Sequence, residues 1–171
     1  MADYSLADVA KRAVEEYVRS GKHLPVPLPV PPELNRRAGA FVCLKKRGEL
    51  RGCIGTIEPA RDTLLHEVMQ NAVSAAVEDP RFYPVRAEEL EELEYSVDVL
   101  EAPELAASLD ELDPKVYGVI VESGRKRGVL LPNLDGVDTV QEQLSIAIRK
   151  AGISSNEPVI IYKFKVTRHG E

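Results

Sequence analysis

The sequence predicts an α+β fold in which the order hairpin, helix, strand occurs twice. Apolar runs that reverse at charged, glycine-containing turns predict the hairpins, 3.6-residue apolar periodicity predicts the helices, and alternation predicts the strands. The first set occupies residues 40–56, 62–78 and 94–101, and the second occupies 117–132, 139–151 and 159–167. We therefore predict a single, internally duplicated domain of 171 residues with mainly antiparallel sheets flanked by helices, and with two lobes at about 1–101 and 102–171.

Two further segments precede the first hairpin. A helix is predicted from Ser5 to Ser20, with Ser5 as its N-cap and Gly21 in the position of a left-handed C′ residue. Alternating prolines in residues 23–32 block helix and ladder pairing and favour an extended strap. The strap could be a ligand for a proline-binding module, but the apolar residues between its prolines favour a stiff connector that lies against its own domain.

The composition, with 44% hydrophobic and 29% charged residues, is typical of a soluble globular protein and excludes the disordered and fibrous classes. A net charge of −6 argues against indiscriminate binding to nucleic acid or to an anionic membrane. No apolar run has membrane-spanning length, and Asp3 and Asp8 stand where a secretory signal needs basic residues. We therefore expect a cytoplasmic protein without a membrane partner, whose two cysteines are free thiols by default.

The register of the first hairpin decides which residues meet across it. A two-residue loop at 47–48 would place Cys43 opposite Gly52 and would mix apolar and charged residues on both faces. A three-residue loop at 47–49 separates the faces and places Cys43 directly across from Cys53. We prefer the three-residue loop, which predicts one face of Val42, Leu44, Leu50 and Ile54, and an opposite face of Phe41, Cys43, Arg51 and Cys53.

The stretch 51–56, Arg-Gly-Cys-Ile-Gly-Thr, is the part of the chain that points to chemistry. A thiol is a nucleophile only as thiolate, and Arg51 supplies a cation that would lower the pKa of Cys53 from a free value of about 8.5. The flanking glycines leave the sulfur open to a ligand. The alternative is that Cys53 is a small buried hydrophobe and that the glycines only admit a close packing partner. The sequence places no histidine near Cys53 as a base, because the three histidines are His23, His66 and His169.

The preferred register also makes a prediction about the two cysteines. Directly opposed residues would have Cα atoms about 4.5–5.5 Å apart, which is within disulfide range. We expect two reduced thiols that mild oxidation can join, so that Cys43 would be a redox gate on Cys53. The alternative, that they are buried neighbours without a switching role, stays open.

Other kinds of site have weaker signals. Two cysteines and three scattered histidines form no pair with zinc or iron spacing, and no phosphate loop or nucleophile elbow is present, so we expect no metal and no cofactor. The basic turns at 45–47 and 125–127 could hold phosphates of RNA or of a nucleotide, although hairpin turns are commonly basic for solubility. Asp98, in the middle of a predicted strand, either lies on a solvated face or points its carboxylate into a polar cleft.

Residues 51–56, followed by Glu58-Pro59, resemble the signature of the AMMECR family, the candidate proteins named after the AMME contiguous-gene syndrome. Three further stretches, at 39–42, 79–82 and 150–152, agree with the pattern of that family. The resemblance covers nearly the whole chain. It implies an AMMECR-like α+β fold of the prokaryotic AmmeMemoRadiSam type, and it implies no assigned reaction.

The resemblance also implies a site and partners. The carried-over site centre is Arg51, Gly52, Cys53, Gly55, Thr56 and Glu58, with Asp79, Arg81 and Phe82 as a wall. In prokaryotes such proteins tend to be encoded or fused with Memo-like proteins, which resemble extradiol dioxygenases, and with radical S-adenosylmethionine enzymes. This implies a shared pathway, with modification of a nucleobase or another small aromatic substrate as its theme.

Two hypotheses about function follow. In the first, the chain is a thiol-dependent enzyme subunit in which Cys53 attacks or holds the substrate and Arg51 and Thr56 stabilise charge. Glu58 is then a candidate general base, and the alternative is that it is an exposed residue before Pro59. The ligand-binding residues in this hypothesis are Gly52, Gly55, Asp79, Arg81, Phe82 and Asp98. In the second, the chain is a non-catalytic module that presents the Cys53 face to a small molecule, an RNA or a protein.

Overall fold

The structure, a computed structural model, describes residues 5–170. The chain divides into two compact units, one of residues 5–100 and 167–170 and the other of residues 101–166. In chain order the helices and strands are α1 (Leu6–Ser20), β1 (Ala40–Lys46), β2 (Glu49–Thr56), α2 (Leu64–Val77), β3 (Leu93–Leu100), β4 (Glu104–Leu105), β5 (Gly118–Ser123), β6 (Lys126–Leu130), α3 (Val140–Ala151), β7 (Ile160–Phe164) and β8 (Val166–Gly170).

The first unit is a four-stranded sheet with two helices on one face. The strand order is β2-β1-β3-β8, and β1 pairs antiparallel with both β2 and β3. Helix α2 lies on β1 and β2, and α1 packs against α2 and β3. The apolar stripes of both helices meet the inner face of the sheet in one core, which includes Val9, Val14, Val42, Leu44, Leu65, Val68, Ala72 and Val97.

Local sequence sets the ends of the helices. The hydroxyls of Thr63 and Thr139 each accept a hydrogen bond from the amide three residues further on, which satisfies one free donor of the first turn. Helices α1 and α3 end at Gly21 and Gly152, whose φ values of 75° and 71° are left-handed. These glycine stops are the ones that the sequence predicts.

The first hairpin has a two-residue turn, and the three-residue loop predicted from the sequence is wrong. Lys46 pairs with Glu49, and the turn consists of Arg47 and Gly48. Both turn residues have positive φ, at 53° and 80°, as in a type I′ turn. Such a turn follows the right-handed twist of the two strands, which explains why the shorter loop forms.

A bulge restores the predicted pairing beyond this turn. Lys45 pairs with Leu50 and Leu44 pairs with Gly52, so Arg51 is left unpaired in the ladder. Cys43 therefore lies opposite Cys53, as predicted. Leu50 lies between the turn and the bulge, and its side chain does not face the core but is 42% exposed. This corrects its predicted place beside Val42, Leu44 and Ile54.

The second unit repeats the plan of the first. Its sheet has the order β4-β7-β5-β6, and α3 lies on β5 and β6. The β5–β6 hairpin turns through residues 124–125, with a φ of 60° at Gly124. The core of this unit includes Val119, Val121, Leu130, Ala147 and Ile153. The antiparallel α+β fold with two hairpin, helix and strand units is thus confirmed.

The strand predicted at 159–167 is in fact two strands in different sheets. β7 pairs with β5, whereas β8 lies beside β3. The break falls at Lys165, whose carbonyl accepts a hydrogen bond from the amide of Glu101. The sequence does not show this break, because β-forming residues continue through it.

The proline-rich strap forms neither helix nor strand between residues 21 and 31. Leu24, Val26 and Val30 pack from this strap against the core of the first unit. The contacts are those expected of a connector that lies against its own domain.

Candidate functional site

The motif 51–56 lies on the edge strand β2, and strand alternation divides its residues between two faces. Gly52 faces α2, where a Cβ atom would overlap the carbonyl oxygen of Ala75. Thr56 faces the same helix. Close helix packing therefore accounts for Gly52, and the predicted site residues do not share one face.

Cys53 and Gly55 point away from the helices. They lie opposite Cys43 and Phe41 of β1, and a Cβ atom on Gly55 would overlap the Phe41 ring. We call this side of the sheet the cysteine face, and its residues are Phe41, Cys43, Cys53, Gly55, Ser96 and Asp98.

Cys43 and Cys53 are joined by a disulfide, and their Cα atoms are 4.1 Å apart. The predicted proximity is thus confirmed, with a separation just below the expected range. The expectation of two free thiols is corrected, since Cys53 carries no thiol while the bond is intact. A nucleophilic role requires reduction first.

Asp79 and Arg81 cover the edge of β2 at Cys53. The buried Asp79 carboxylate accepts hydrogen bonds from the Cys53 amide at 3.0 Å and from the Arg81 amide, Nε and Nη2 at 3.0, 3.0 and 2.7 Å. Arg81 Nη2 also lies 3.4 Å from the Cys53 carbonyl oxygen. The Asp79 and Arg81 side chains thus bind the backbone amide and carbonyl of Cys53, which a neighbouring strand would bind in the interior of a sheet.

The same contacts fix the charge on Asp79. The Arg81 guanidinium, together with the amides of Cys53 and Arg81, holds the pKa of Asp79 well below its usual value despite the burial of this carboxyl. Asp79 is therefore ionised at neutral pH and positions Arg81, so these two of the predicted wall residues lie at Cys53.

Arg51 binds Glu89 instead of standing free beside Cys53. Its Nε and Nη2 donate to the two carboxylate oxygens at 2.9 and 3.1 Å, and Lys46 Nζ donates to the same carboxylate at 3.1 Å. The Arg51 guanidinium, helped by the Arg86 amide and Lys46, lowers the pKa of Glu89 to about 2. Within residues 5–170, the buried Nη1 of Arg51 has no hydrogen-bond partner.

Both arginines contact the ring of Phe82. The guanidinium carbon of Arg51 is 6.0 Å from the ring centroid, and that of Arg81 is 5.5 Å from it. These distances are in the cation–π range. Phe82 is half-buried and Arg81 is exposed, so a flat ring and a guanidinium reach solvent next to each other.

The Thr56 side chain is hydrogen-bonded to helix α2 and not to the cysteines. Its hydroxyl donates to Glu67 at 2.6 Å and accepts from Asn71 Nδ2 at 3.1 Å. Glu67 is 1% exposed and also accepts the amides of Ala60 and Arg61, both at 2.9 Å. This network ties the loop after β2 to α2.

Sequence reasoning missed Glu67 and Asn71. The available signal was their spacing of four residues on α2 beside its apolar stripe, which places two polar side chains at the core boundary.

Glu58 lies outside the cysteine face, whereas Asp98 is on that face but is already bound by an arginine. Glu58 is exposed beyond the end of β2. The Asp98 carboxylate is buried, and it is bound by Arg168 Nε and Nη2 at 2.7 and 2.8 Å. The solvated alternative for Asp98 is therefore excluded, and its partner, on β8, gave no signal in the sequence.

Cations of the basic turns are paired with carboxylates. Arg47 Nε lies 2.9 Å from Glu92, and Lys126 Nζ lies 2.6 Å from Glu157. Both cations are thus already ion-paired on the surface.

Residues 5–170 contain no cluster of three or more histidine, cysteine or acidic side chains that could hold a metal ion. In the same range, no helix combines the length and apolarity that crossing a membrane requires.

The sequence profile described as AMMECR1 matches residues 7–169. The chain belongs to the AMMECR1 family. Among relatives of this AMMECR1-family chain, a Thermotoga maritima protein is 52% identical over 163 residues, which cover 94% of both chains. Protein CA_C1420 of Clostridium acetobutylicum is 51% identical over 165 residues, which cover 95% of this chain and 35% of that protein. This chain thus spans about a third of the Clostridium relative.

A solved structure of the same fold is protein PH0010 from Pyrococcus horikoshii. It superposes with a TM-score of 0.85 at 36% sequence identity, over 95% of this chain and 88% of that chain. The antiparallel α+β architecture is therefore shared with an experimental structure.

Proposed function

We propose that the edge of β2 at Cys53 is the ligand site of an enzyme subunit, in which reduced Cys53 attacks or holds a nucleobase or another small aromatic substrate. The observation that supports this proposal is the placement of Arg81. Its guanidinium is fixed on the buried Asp79 and against the Cys53 carbonyl, yet its side chain is 55% exposed. A donor held in place before the ligand arrives is what a binding site requires.

Phe82 favours a flat ligand. Its half-buried ring and the guanidinium of Arg81 present two planar surfaces next to each other, and Arg81 also contacts the Cys53 carbonyl. Aromatic rings stack on such surfaces, and the guanidinium donates to oxygen or nitrogen atoms at the edge of a ring. Purines and pyrimidines combine both features.

The roles within this proposal follow the contacts. Arg81 is the group that stabilises charge at Cys53, while Arg51 supports the site through Glu89 and Phe82. Thr56 supports the loop after β2 through Glu67. A general-base role for Glu58 rests on the family resemblance alone.

We further propose that the subunit works in the cytoplasm with Memo-like and radical S-adenosylmethionine proteins. Support comes from membership of the AMMECR1 family and from the Clostridium relative, of which this chain spans only 35%. A relative that carries further segments in one polypeptide is consistent with a module that acts beside other proteins.

A second candidate is a non-catalytic binding module for a small molecule, an RNA or a protein. The disulfide favours it, because a bonded Cys53 has no nucleophilic thiol. The enzyme requires a Cys53 thiol with a pKa below about 8.5, whereas the module requires only the shape of the site.

Amide chemical shifts of the reduced protein, titrated with adenine, uracil and benzoate, would test the site. We expect shifts at Cys53, Arg81 and Phe82 with at least one of these probes. Arg81→Gln should weaken that binding by about tenfold, since it removes a charged hydrogen bond. The exposed Arg125 offers a matched control, Arg125→Gln, which should bind like the wild type. Shifts confined to other surfaces, or equal binding by the two variants, would refute the proposed site.

A further inference from the structure

We infer that Cys43 and Cys53 are a reversible dithiol–disulfide couple, which exchanges two electrons with a dithiol reductant. In the structure, the two sulfurs are bonded across β1 and β2. They are the only cysteines of the 171-residue sequence, so no other thiol of the chain competes for either sulfur. The couple is independent of whether Cys53 then acts on a substrate.

The bond is not needed to hold the two strands together. A two-residue turn and an antiparallel ladder from Ala40 to Lys46 already join β1 to β2. The hairpin of the second unit has the same design, with Ile120 opposite Val129 and no covalent link. Breaking the disulfide should therefore leave the sheet intact, which is a condition for reversibility.

Both cysteines are accessible to a small reductant. Each is half-buried, and Cys53 lies on the edge strand of the sheet. They point to the cysteine face, away from the core that α1 and α2 cover. An attacking thiolate can approach the sulfurs without opening that core.

An arginine side chain lies beside the backbone of Cys53. The Arg81 guanidinium is 3.4 Å from the Cys53 carbonyl oxygen, and an ion pair with the Asp79 carboxylate holds it there. A fixed cation beside a thiol stabilises the ionised form, which is both the better leaving group and the reactive species.

The exchange balances in two steps. A thiolate of the reductant attacks one sulfur of the pair, forms a mixed disulfide and releases the other sulfur as a thiolate. The second thiol of the reductant then attacks the mixed disulfide, closes its own ring and releases the remaining cysteine. Two electrons pass to the pair, and the two protons of the dithiol end on Cys43 and Cys53.

This couple would control the proposed site. The oxidised chain presents the same backbone, arginines and Phe82, but only the reduced chain has a Cys53 thiol. Both redox forms could thus bind a ligand at this site, but only the reduced form could react with it covalently.

The test equilibrates the folded wild-type chain with mixtures of reduced and oxidised dithiothreitol, followed by acid quenching, iodoacetamide labelling and intact mass measurement. The bridged fraction should fall from about nine-tenths to about one-tenth over a hundredfold change in the ratio, with the same curve from either direction. Cys43→Ala should show one labelled thiol at every ratio. The far-ultraviolet circular dichroism of the two redox forms should be the same.

Three results would overturn the couple. The bond could persist at every ratio until denaturant is added, the reduced folded chain could fail to re-form it, or reduction could unfold the sheet. Failure of the nucleobase and benzoate titration with an intact couple would refute the ligand site only.

Discussion

In both units, a glycine of the returning hairpin strand lies against a carbonyl oxygen of the following helix. Gly52 meets Ala75 in the first unit, and Gly128 meets Ala147 in the second. A side-chain amide four residues before each of these alanines then binds the start of the hairpin. Asn71 donates to the Ala40 carbonyl at 2.9 Å, and Gln143 donates to the Tyr117 carbonyl at 2.8 Å. The two units therefore share a scaffold down to individual contacts.

The units differ just before the glycine. In the second unit Arg127 is paired in the ladder with Glu122, and the two side chains form an ion pair at 3.4 Å. In the first unit Arg51 occupies a bulge and binds Glu89. The bulge changes the direction of one arginine without altering the pairing of the cysteines beyond it.

They differ again just after the glycine. The cross-strand pair is Ile120 with Val129 in the second unit and Cys43 with Cys53 in the first. Lys150 binds the Val129 carbonyl at 2.9 Å, whereas Asp79 and Arg81 bind both backbone groups of Cys53. The scaffold of the second unit forms without a bulge, without cysteines and without a pair like Asp79 and Arg81. These three features are therefore additions to the shared scaffold in the first unit.

The largest expected effect concerns the cores of the two units. Leu65 is fully buried on α2, while Leu144 on α3 is only partly buried, although the sequence predicts that both are core residues. Leu65→Ala should cost about 2–5 kcal/mol of unfolding free energy, and Leu144→Ala about half as much. Urea denaturation of both variants measures the difference. Equal losses would mean that the two helix faces are buried alike.

Acidification should weaken the Arg51 contact of the first unit. The folded pKa of Glu89 is lowered from 4.5 to about 2, so the folded chain binds fewer protons there than the unfolded chain. The stabilisation is present above pH 4.5 and is lost as the pH falls towards 2, by up to about 3 kcal/mol. Glu89→Gln should flatten this part of a stability profile, while the exposed neighbour offers Glu88→Gln as a control. Parallel profiles for the two variants would contradict the role of Glu89.

The shared glycines should give smaller and similar effects. Gly52→Ala and Gly128→Ala each place a methyl group against a helix carbonyl and should each cost about 1–3 kcal/mol. Leu50→Ala, at an exposed position of β2, should change stability by less than about 0.5 kcal/mol. Thermal and urea melts measure these losses of stability. A loss for only one of the two glycine variants would mean that the two hairpins do not pack on their helices in the same way.

Much of this scaffold was predictable, because apolar periodicity and capping residues act locally. The repeated units and the glycine stops follow from alternation and capping chemistry. The pairing of Cys43 with Cys53 was predicted from the wrong loop length and is restored by a bulge. The bulge at Arg51 was not predictable, since a single inserted residue leaves the alternation on either side unchanged.

The structure brings some of the candidate site residues to Cys53 and leaves others elsewhere: Asp79 and Arg81 bind its backbone, whereas Thr56 binds Glu67. The family resemblance predicted that Asp79, Arg81 and Phe82 belong to the site. In the structure Asp79 binds the Cys53 amide, and Phe82 lies against Arg81. The pairing of Asp98 with Arg168 joins residues 70 positions apart, and a single sequence contains no signal for such a contact.

We propose that Cys53, at a scaffold position of the first unit, is an activated thiol when it is reduced. The most direct measurement is the rate of iodoacetamide alkylation against pH for Cys43→Ala, in which Cys53 is the only thiol. We predict a midpoint below about 8.5 that moves up towards that value when Arg81→Gln is added and stays in place when Arg125→Gln is added. A midpoint at or above about 8.5 that does not respond to Arg81 would contradict the claim.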